Sequence, residues 1–270
     1  MSRVARATAL KLIGAALALP ACSTTSARAL RVGSTDSSEN VVIAEIYAGA
    51  LERSGIRIAR RLRSGDDAAL TAALERGEVD LFPAHTRSRA PRTGLVWLAP
   101  APVDDVPCLV TSQYAAEEYY MLVLSSCAAI APRLRLAATH DFLASGALEG
   151  LRRRYGGFKF GKVVACDPGE QYDALNRGDV AVANGIATDP KIAESQILVL
   201  GDDMHFWPRN NVVPVMSAAA SRAFPHAPRV LDRVSRELTQ YAVQQMNAHL
   251  DLLSLEPSDV AEDFLRAHRT

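Results

Sequence analysis

From Leu30 onward the chain alternates short apolar runs with longer stretches whose apolar residues recur at helical spacing. Leu30 to Gly33 reads as a first strand ending in a turn. Asp36 and Glu39 then stand at capping-box spacing and open a helix. Val42, Ile43, Ile46, Tyr47, Ala50 and Leu51 form its apolar stripe, and Gly55 stops it. Ile56 to Leu62 is the next strand, a helix runs from Asp66 to Gly77, and Val79 to Phe82 is a third strand. The same order returns later. Leu134 to Ala138 is a strand, Asp141 to Tyr155 a helix stopped by Gly156 and Gly157, and Lys162 to Cys166 a strand. Gly169 to Arg177 is a helix and Val180 to Ala183 a strand. Strands alternating with helices in this way predict an α/β fold with mostly parallel sheets.

Ala73 to Leu81 (ALERGEVDL) is echoed by Ala174 to Val182 (ALNRGDVAV), each a helix end, a Gly stop, an acid and a strand. Two copies about a hundred residues apart suggest two related lobes rather than one sheet. Parallel sheets bind ligands at the carboxyl ends of their strands, so Pro83 to Ser88 and Asn184 to Asp189 should face one another across a cleft. The helices expected over Pro228 to Leu250 and Pro257 to His268 are packing elements, with Leu231, Val234, Leu238, Tyr241 and Val243 as core positions.

The N-terminus reads as an export signal. Arg3, Arg6 and Lys11 precede the apolar run Leu12 to Leu19, which is too short for a span that needs about 20 apolar residues. Two cleavage sites compete. Leu19 to Cys22 resembles a lipobox, with Cys22 as the lipidated residue. Ala27-Arg28-Ala29 fits ordinary signal peptidase. The lipoprotein reading is preferred, with residues 1–29 as signal and tether and the membrane reached through the lipid alone. Cys108, Cys127 and Cys166 then remain, and any one pairing among them is open in an oxidising compartment.

Composition narrows the function. With 49% hydrophobic residues in a chain of 270, and 30 basic against 30 acidic side chains, the sequence excludes a disordered chain and a polytopic membrane protein. It also lacks the basic excess of a nucleic-acid binder. There is no GxSxG, HExxH, CxxC or glycine-rich nucleotide signature, and the six His stand singly. No catalytic residue, cofactor or metal ligand is assigned. The doubled acids Asp104-Asp105, Glu117-Glu118 and Asp202-Asp203 read as solvated turns, since neighbours in sequence point to different faces.

The ordered motifs resemble one family. Gly33 to Glu39, Gly77 to Thr86, Leu151 to Gly156, Ala187 to Asp189 and His205 to Val215 follow the pattern of the glycine betaine/choline/carnitine-binding proteins of osmoprotectant ABC importers. The resemblance implies a two-lobed periplasmic-binding-protein fold of type II. Lobe 1 would comprise residues 30–106 plus 211–270, and lobe 2 residues 107–210. It further implies an extracytoplasmic protein that delivers a small solute to a permease and an ATPase. Ligand-facing positions carried over from the family are Ser34, Asp36, His85, Thr86, Ser88, Val106, Ile186, Thr188, Asp189 and Asn210. Members of the family hold a quaternary ammonium in an aromatic cage and its carboxylate with a basic side chain. Here the cage positions are His85, Val106, Ile186 and Asn210, and Ala144, Ser145 and Gly146 stand where the Arg is expected. Each desolvated cation–π contact is worth about 2 kcal/mol, so betaine, choline and carnitine should bind weakly or not at all. A hydroxylated or amide-bearing solute fits the remaining set better. Alternatives are a lipoprotein that has lost solute binding and acts as an interaction module, and an exported hydrolase.

Overall fold

The computed structural model describes residues 28–89 and 93–268. Cys22 and the export segment up to residue 27 lie outside the described residues. The first part of the chain forms β1 (Leu30–Gly33), α1 (Ser38–Arg53), β2 (Ile58–Arg61), α2 (Asp67–Glu75), β3 (Leu81–His85) and β4 (Leu95–Trp97). The middle part forms β5 (Pro107–Ser112), α3 (Gln113–Tyr119), α4 (Leu124–Ile130), β6 (Arg135–Thr139), α5 (His140–Ala144), α6 (Ala147–Tyr155), β7 (Lys162–Cys166), α7 (Glu170–Asn176), β8 (Val182–Ile186), α8 (Pro190–Glu194) and β9 (Ile197–Val199). The chain then returns through β10 (Val212–Ser217), α9 (Ala218–Ala223), α10 (Ala227–Glu237), α11 (Gln240–Asp251) and α12 (Pro257–Ala267).

Two five-stranded sheets result, in the orders β2-β1-β3-β10-β4 and β7-β6-β8-β5-β9. They repeat one plan. In each, a βαβ unit supplies parallel pairings (β1 with β2 and β3, β6 with β7 and β8), which is the half foreseen from the alternating pattern. The other half is antiparallel, through β10 and β5, so each sheet is mixed. β5 and β10 are the strands just past the two crossovers, and Asp104 and Asn211 bridge these crossovers side by side. The internal echo falls on equivalent elements, α2–β3 and α7–β8. Gly77 and Gly178 both take positive φ after their helices, and each copy closes its turn with one ion pair, Arg76–Glu78 at 2.8 Å and Arg177–Asp179 at 2.9 Å.

The larger core lies between the first sheet and α1, α10, α11 and α12, around Tyr47, Ile43, Leu51, Val212, Leu231 and Leu265. The second sheet buries Leu136, Val182 and Phe158 on one face and Tyr172, Ala183 and Val110 on the other.

Three expectations need correction. The helix expected over Asp141–Tyr155 is two helices, because Gly146 at φ +77° breaks it. The helix expected over Pro228–Leu250 also breaks, at Leu238 and Thr239, and Thr239 caps α11 by accepting from the Ala242 amide. With that break Tyr241 turns outward and is 68% exposed, not core, whereas Leu231, Val234, Leu238 and Val243 are buried. Finally, Cys108, Cys127 and Cys166 are all free thiols, and burial pushes the Cys127 thiol up to about 12. Among the described residues no helix is long and apolar enough to cross a membrane.

Candidate ligand-binding site

Residues at or just after the carboxyl ends of β1, β3 and β8 meet at the junction of the two lobes, and the start of α1 shows how local sequence sets the chemistry there. Ser37 is the N-cap of α1 but makes no side-chain bond to it. The helix is instead tied by Asn40, whose Oδ1 accepts from the Thr35 amide at 2.8 Å and whose Nδ2 donates to the Pro83 carbonyl at 2.8 Å. The expected capping box is therefore not formed. Glu39, released from it, turns into the junction and accepts at 2.6 Å from the Asn247 amide of α11.

Glu39 meets His85 and Asp105 there, and Asp67 adjoins the far side of His85. His85, the last residue of β3, places Nδ1 3.8 Å from Asp67 at the start of α2 and Nε2 3.7 Å from Oδ2 of Asp105 on the first crossover. Glu39, His85 and Asp105 each bring one ligand-type atom within 4.8 Å of the others. His85 Nε2 is buried and has no hydrogen-bond partner. The other oxygen of Asp105 accepts from Thr188 Oγ1 at 3.2 Å, and the Thr188 carbonyl accepts from Asn247 at 2.9 Å. Burial, then the neighbouring Asp105, hold the Glu39 carboxyl above its usual range. Burial opposes the charged form of His85, but Asp67, Asp105 and Glu39 outweigh it, and its pKa lies above the ordinary imidazole value.

Of the residues expected at the ligand, His85 and Thr188 enter this cluster. Ser34 is buried beneath it, accepting from the Arg63 amide at 2.9 Å. Asp36 is exposed and accepts from Gly65 N at 3.4 Å, outside the cluster. Thr86 and Ser88 bond to backbone carbonyls, of Arg209 at 3.4 Å and His85 at 2.6 Å. Asp189 caps α8, accepting from Lys191 N at 3.0 Å, and accepts a hydrogen bond from the Tyr172 hydroxyl at 2.8 Å. Both amide atoms of Asn210 are engaged: Nδ2 donates to the Asp105 carbonyl at 3.0 Å and Oδ1 accepts from Arg87 N at 3.4 Å. This residue staples the crossovers. Val106 packs on the lobe-2 core and, with Trp207, lines a cavity of about 250 Å³ beside the crossovers. Ile186, at the end of β8, is 42% exposed.

Glu39, Asp67, Asp105 and Asn247 were not foreseen. The Asp104-Asp105 pair is not a solvated turn. Its two carboxylates do point to different sides, Asp104 taking the Asn210 amide hydrogen at 2.6 Å and Asp105 facing His85. Doubled acids at a chain crossover were the available signal. Asn247 carried a signal as well, since Gln240, Gln244 and Asn247 share one helical face.

The family described as "Substrate binding domain of ABC-type glycine betaine transport system" matches residues 28–267. The chain belongs to this family. Among curated relatives, the glycine betaine-binding protein YehZ of Escherichia coli K12 is 24% identical over 88% of the chain and 90% of its own length. A glycine-betaine-binding protein of Pseudomonas aeruginosa is 26% identical over 99% of the chain and 96% of its own length. The ergothioneine transport permease/binding protein EgtU of Helicobacter pylori is 25% identical over 87% of the chain, which spans only 47% of that larger protein. Solved structures share the fold. A glycine betaine/carnitine/choline ABC transporter protein aligns at TM-score 0.81 and 22% identity, covering 89% of this chain and 98% of its own. Ligand-free YehZ aligns at 0.80 and 22%, covering 89% and 99%. The two-lobed α/β fold of type II periplasmic binding proteins is thus established, and these relatives are solute-binding proteins rather than enzymes.

Proposed function

We propose that this protein is an exported lipoprotein, anchored through Cys22, that binds a small polar solute between its lobes and delivers it to the permease and ATPase of an ABC importer. The family match across residues 28–267 supports the solute-binding part of this reading, and the anchor rests on the Leu19 to Cys22 pattern alone. In it, lobe 1 is residues 30–106 plus 211–270, lobe 2 is residues 107–210, and the crossovers joined at Asp104 and Asn211 are the hinge.

The solute differs from that of the betaine-named relatives. His85, Val106, Ile186 and Asn210 offer no Tyr, Trp or Phe face at the cage positions, and Ala144, Ser145 and Gly146 stand where an Arg would hold a carboxylate. Glu39, Asp67 and Asp105 moreover make the junction acidic, which disfavours a solute carboxylate beside them. A hydroxylated or amide-bearing solute satisfies such a set by hydrogen bonding. The trimethylammonium head of the usual solutes has no N–H to offer and leaves the acceptors facing it unsatisfied at about 1–3 kcal/mol each.

A thermal-shift screen of a solute library tests the binding reading, because a ligand at a hundred times its Kd adds about 2.7 kcal/mol. Calorimetry should then show weak or no binding of glycine betaine, choline and carnitine. Micromolar betaine binding that survives His85→Ala and Asn210→Ala together refutes the solute assignment. Mass spectrometry of the mature N-terminus should find an acylated Cys22, and a chain starting at Leu30 refutes the anchor.

A further inference from the structure

We propose that Glu39, His85 and Asp105 form a binding site for one divalent transition-metal ion at the base of the junction. The three donors arrive from the start of α1, the end of β3 and the first crossover, so no single motif announces them in sequence.

The first argument is the arrangement of charges around the ring. His85 Nδ1 lies 3.8 Å from the Asp67 carboxylate, whose charge favours the imidazole hydrogen on that nitrogen. In the neutral ring Nε2 then carries a lone pair. It is buried, has no hydrogen-bond partner and lies 3.7 Å from Asp105 Oδ2. An imidazole lone pair and two carboxylates, all acceptors, converge on one point. Acceptors gathered this closely repel one another unless a positive charge lies between them.

The second argument is that each donor is held from behind. Asn247 donates to Glu39 Oε2, Thr188 Oγ1 donates to Asp105 Oδ1, and Asp67 faces the far nitrogen of His85. An outer ring of hydrogen-bond donors and a carboxylate behind the ligands is the arrangement built around bound metals.

The donor set selects the class of ion. One imidazole nitrogen with two carboxylate oxygens suits zinc, cobalt and their neighbours, while calcium takes about 6–8 oxygens. Bonds of about 2.0–2.2 Å put tetrahedral ligands roughly 3.5 Å apart, close to the 3.7 Å between His85 and Asp105. The widest spacing in the set, within 4.8 Å, closes by about 1 Å on binding. Three protein ligands leave a fourth position for water. Because Asp105 is bonded to Thr188 of the second lobe, a bound ion also braces the lobes together.

Cobalt(II) alone is the probe, titrated into the chain purified without a histidine tag and stripped with a chelator. Visible absorption and calorimetry should both report one equivalent. Asp67→Asn should weaken the affinity by about 10–100-fold, as loss of an outer-ring partner does. Glu39→Gln, Asp105→Asn and His85→Gln should weaken it further. Circular dichroism in chelator checks that each variant folds, and the remaining variants decide the matter where one does not. No saturable uptake by the wild-type chain overturns the proposal and leaves a proton on His85 as the bridging charge. Uptake unchanged in the Glu39, His85 and Asp105 variants also overturns it, as an adventitious ion only. The solute screen, run in chelator, stands or falls separately.

Discussion

The two lobes repeat one plan, yet the polar groups at their facing edges are in opposite states. On the second lobe they are mutually satisfied. Asn184 accepts from the Thr139 amide at 2.8 Å and its Nδ2 lies 3.3 Å from Thr139 Oγ1, while Asp189 caps α8 and holds Tyr172. On the first lobe the equivalent loops present Glu39, Asp67 and His85, with His85 Nε2 lacking a hydrogen-bond partner. A duplicated scaffold has thus been divided, one edge closed by internal bonds and the other keeping a buried ring nitrogen without a hydrogen-bond partner.

The largest test of this contrast is Asn247→Ala, which removes the donor that satisfies both Glu39 and the Thr188 carbonyl. At about 1–3 kcal/mol per buried unsatisfied group, urea unfolding should show a loss of about 3 kcal/mol. A loss below about 1 kcal/mol would mean that the seam between the lobes is wet. Asn184→Ala comes next, at about 2 kcal/mol, because it strands the buried Thr139 amide inside the self-satisfied edge. An unchanged unfolding midpoint would erase the distinction drawn between the lobes.

Ile186→Tyr should leave stability unchanged, since the side chain is 42% exposed, and restores one aromatic face on the second lobe. A cation–π contact of about 1 kcal/mol then tightens betaine binding severalfold in calorimetry. No gain in affinity would show that this position does not face the solute.

The smallest effect lies on the outer strand of lobe 1, where Arg60 hydrogen-bonds Glu52 and holds its carboxyl below the usual range. A lowered folded-state pKa stabilises above the unfolded value of about 4.3, and the stabilisation is lost as pH falls through the lowered one. Because the pair is largely exposed, Glu52→Gln should cost a few tenths of a kcal/mol near pH 7 and progressively less as acid protonates the Glu52 carboxylate. The corresponding strand on lobe 2, β7, serves as the control.

The βαβ units were legible because apolar spacing and Gly stops act locally, and the echo marked the duplication. Helix breaks at Gly146 and Leu238 were not. Apolar periodicity runs straight through both, and only the backbone angle of Gly146 and the side-chain cap of Thr239 decide them. The site was half legible. His85 and Thr188 follow strand ends, where parallel sheets gather ligands. Glu39 was hidden because capping-box spacing also fits a helix that Asn40 fastens instead. Asp105 was hidden because its pairing with His85 spans chain segments that meet only after folding.

The face of α11 that carries Gln240, Gln244 and Asn247 has a mechanical consequence. Gln240 accepts from the Asp104 amide on the crossover, Gln244 donates to the Ala187 carbonyl at 2.6 Å, and Asn247 reaches Thr188. Two adjacent strands alone would let one body both tilt and twist against the other. A third attachment, displaced sideways along a rigid helix, removes the twist and leaves a single rotation axis. In the proposed hinge, opening would then proceed like a door with two hinges on one post, the amides of one helix face setting the direction of swing.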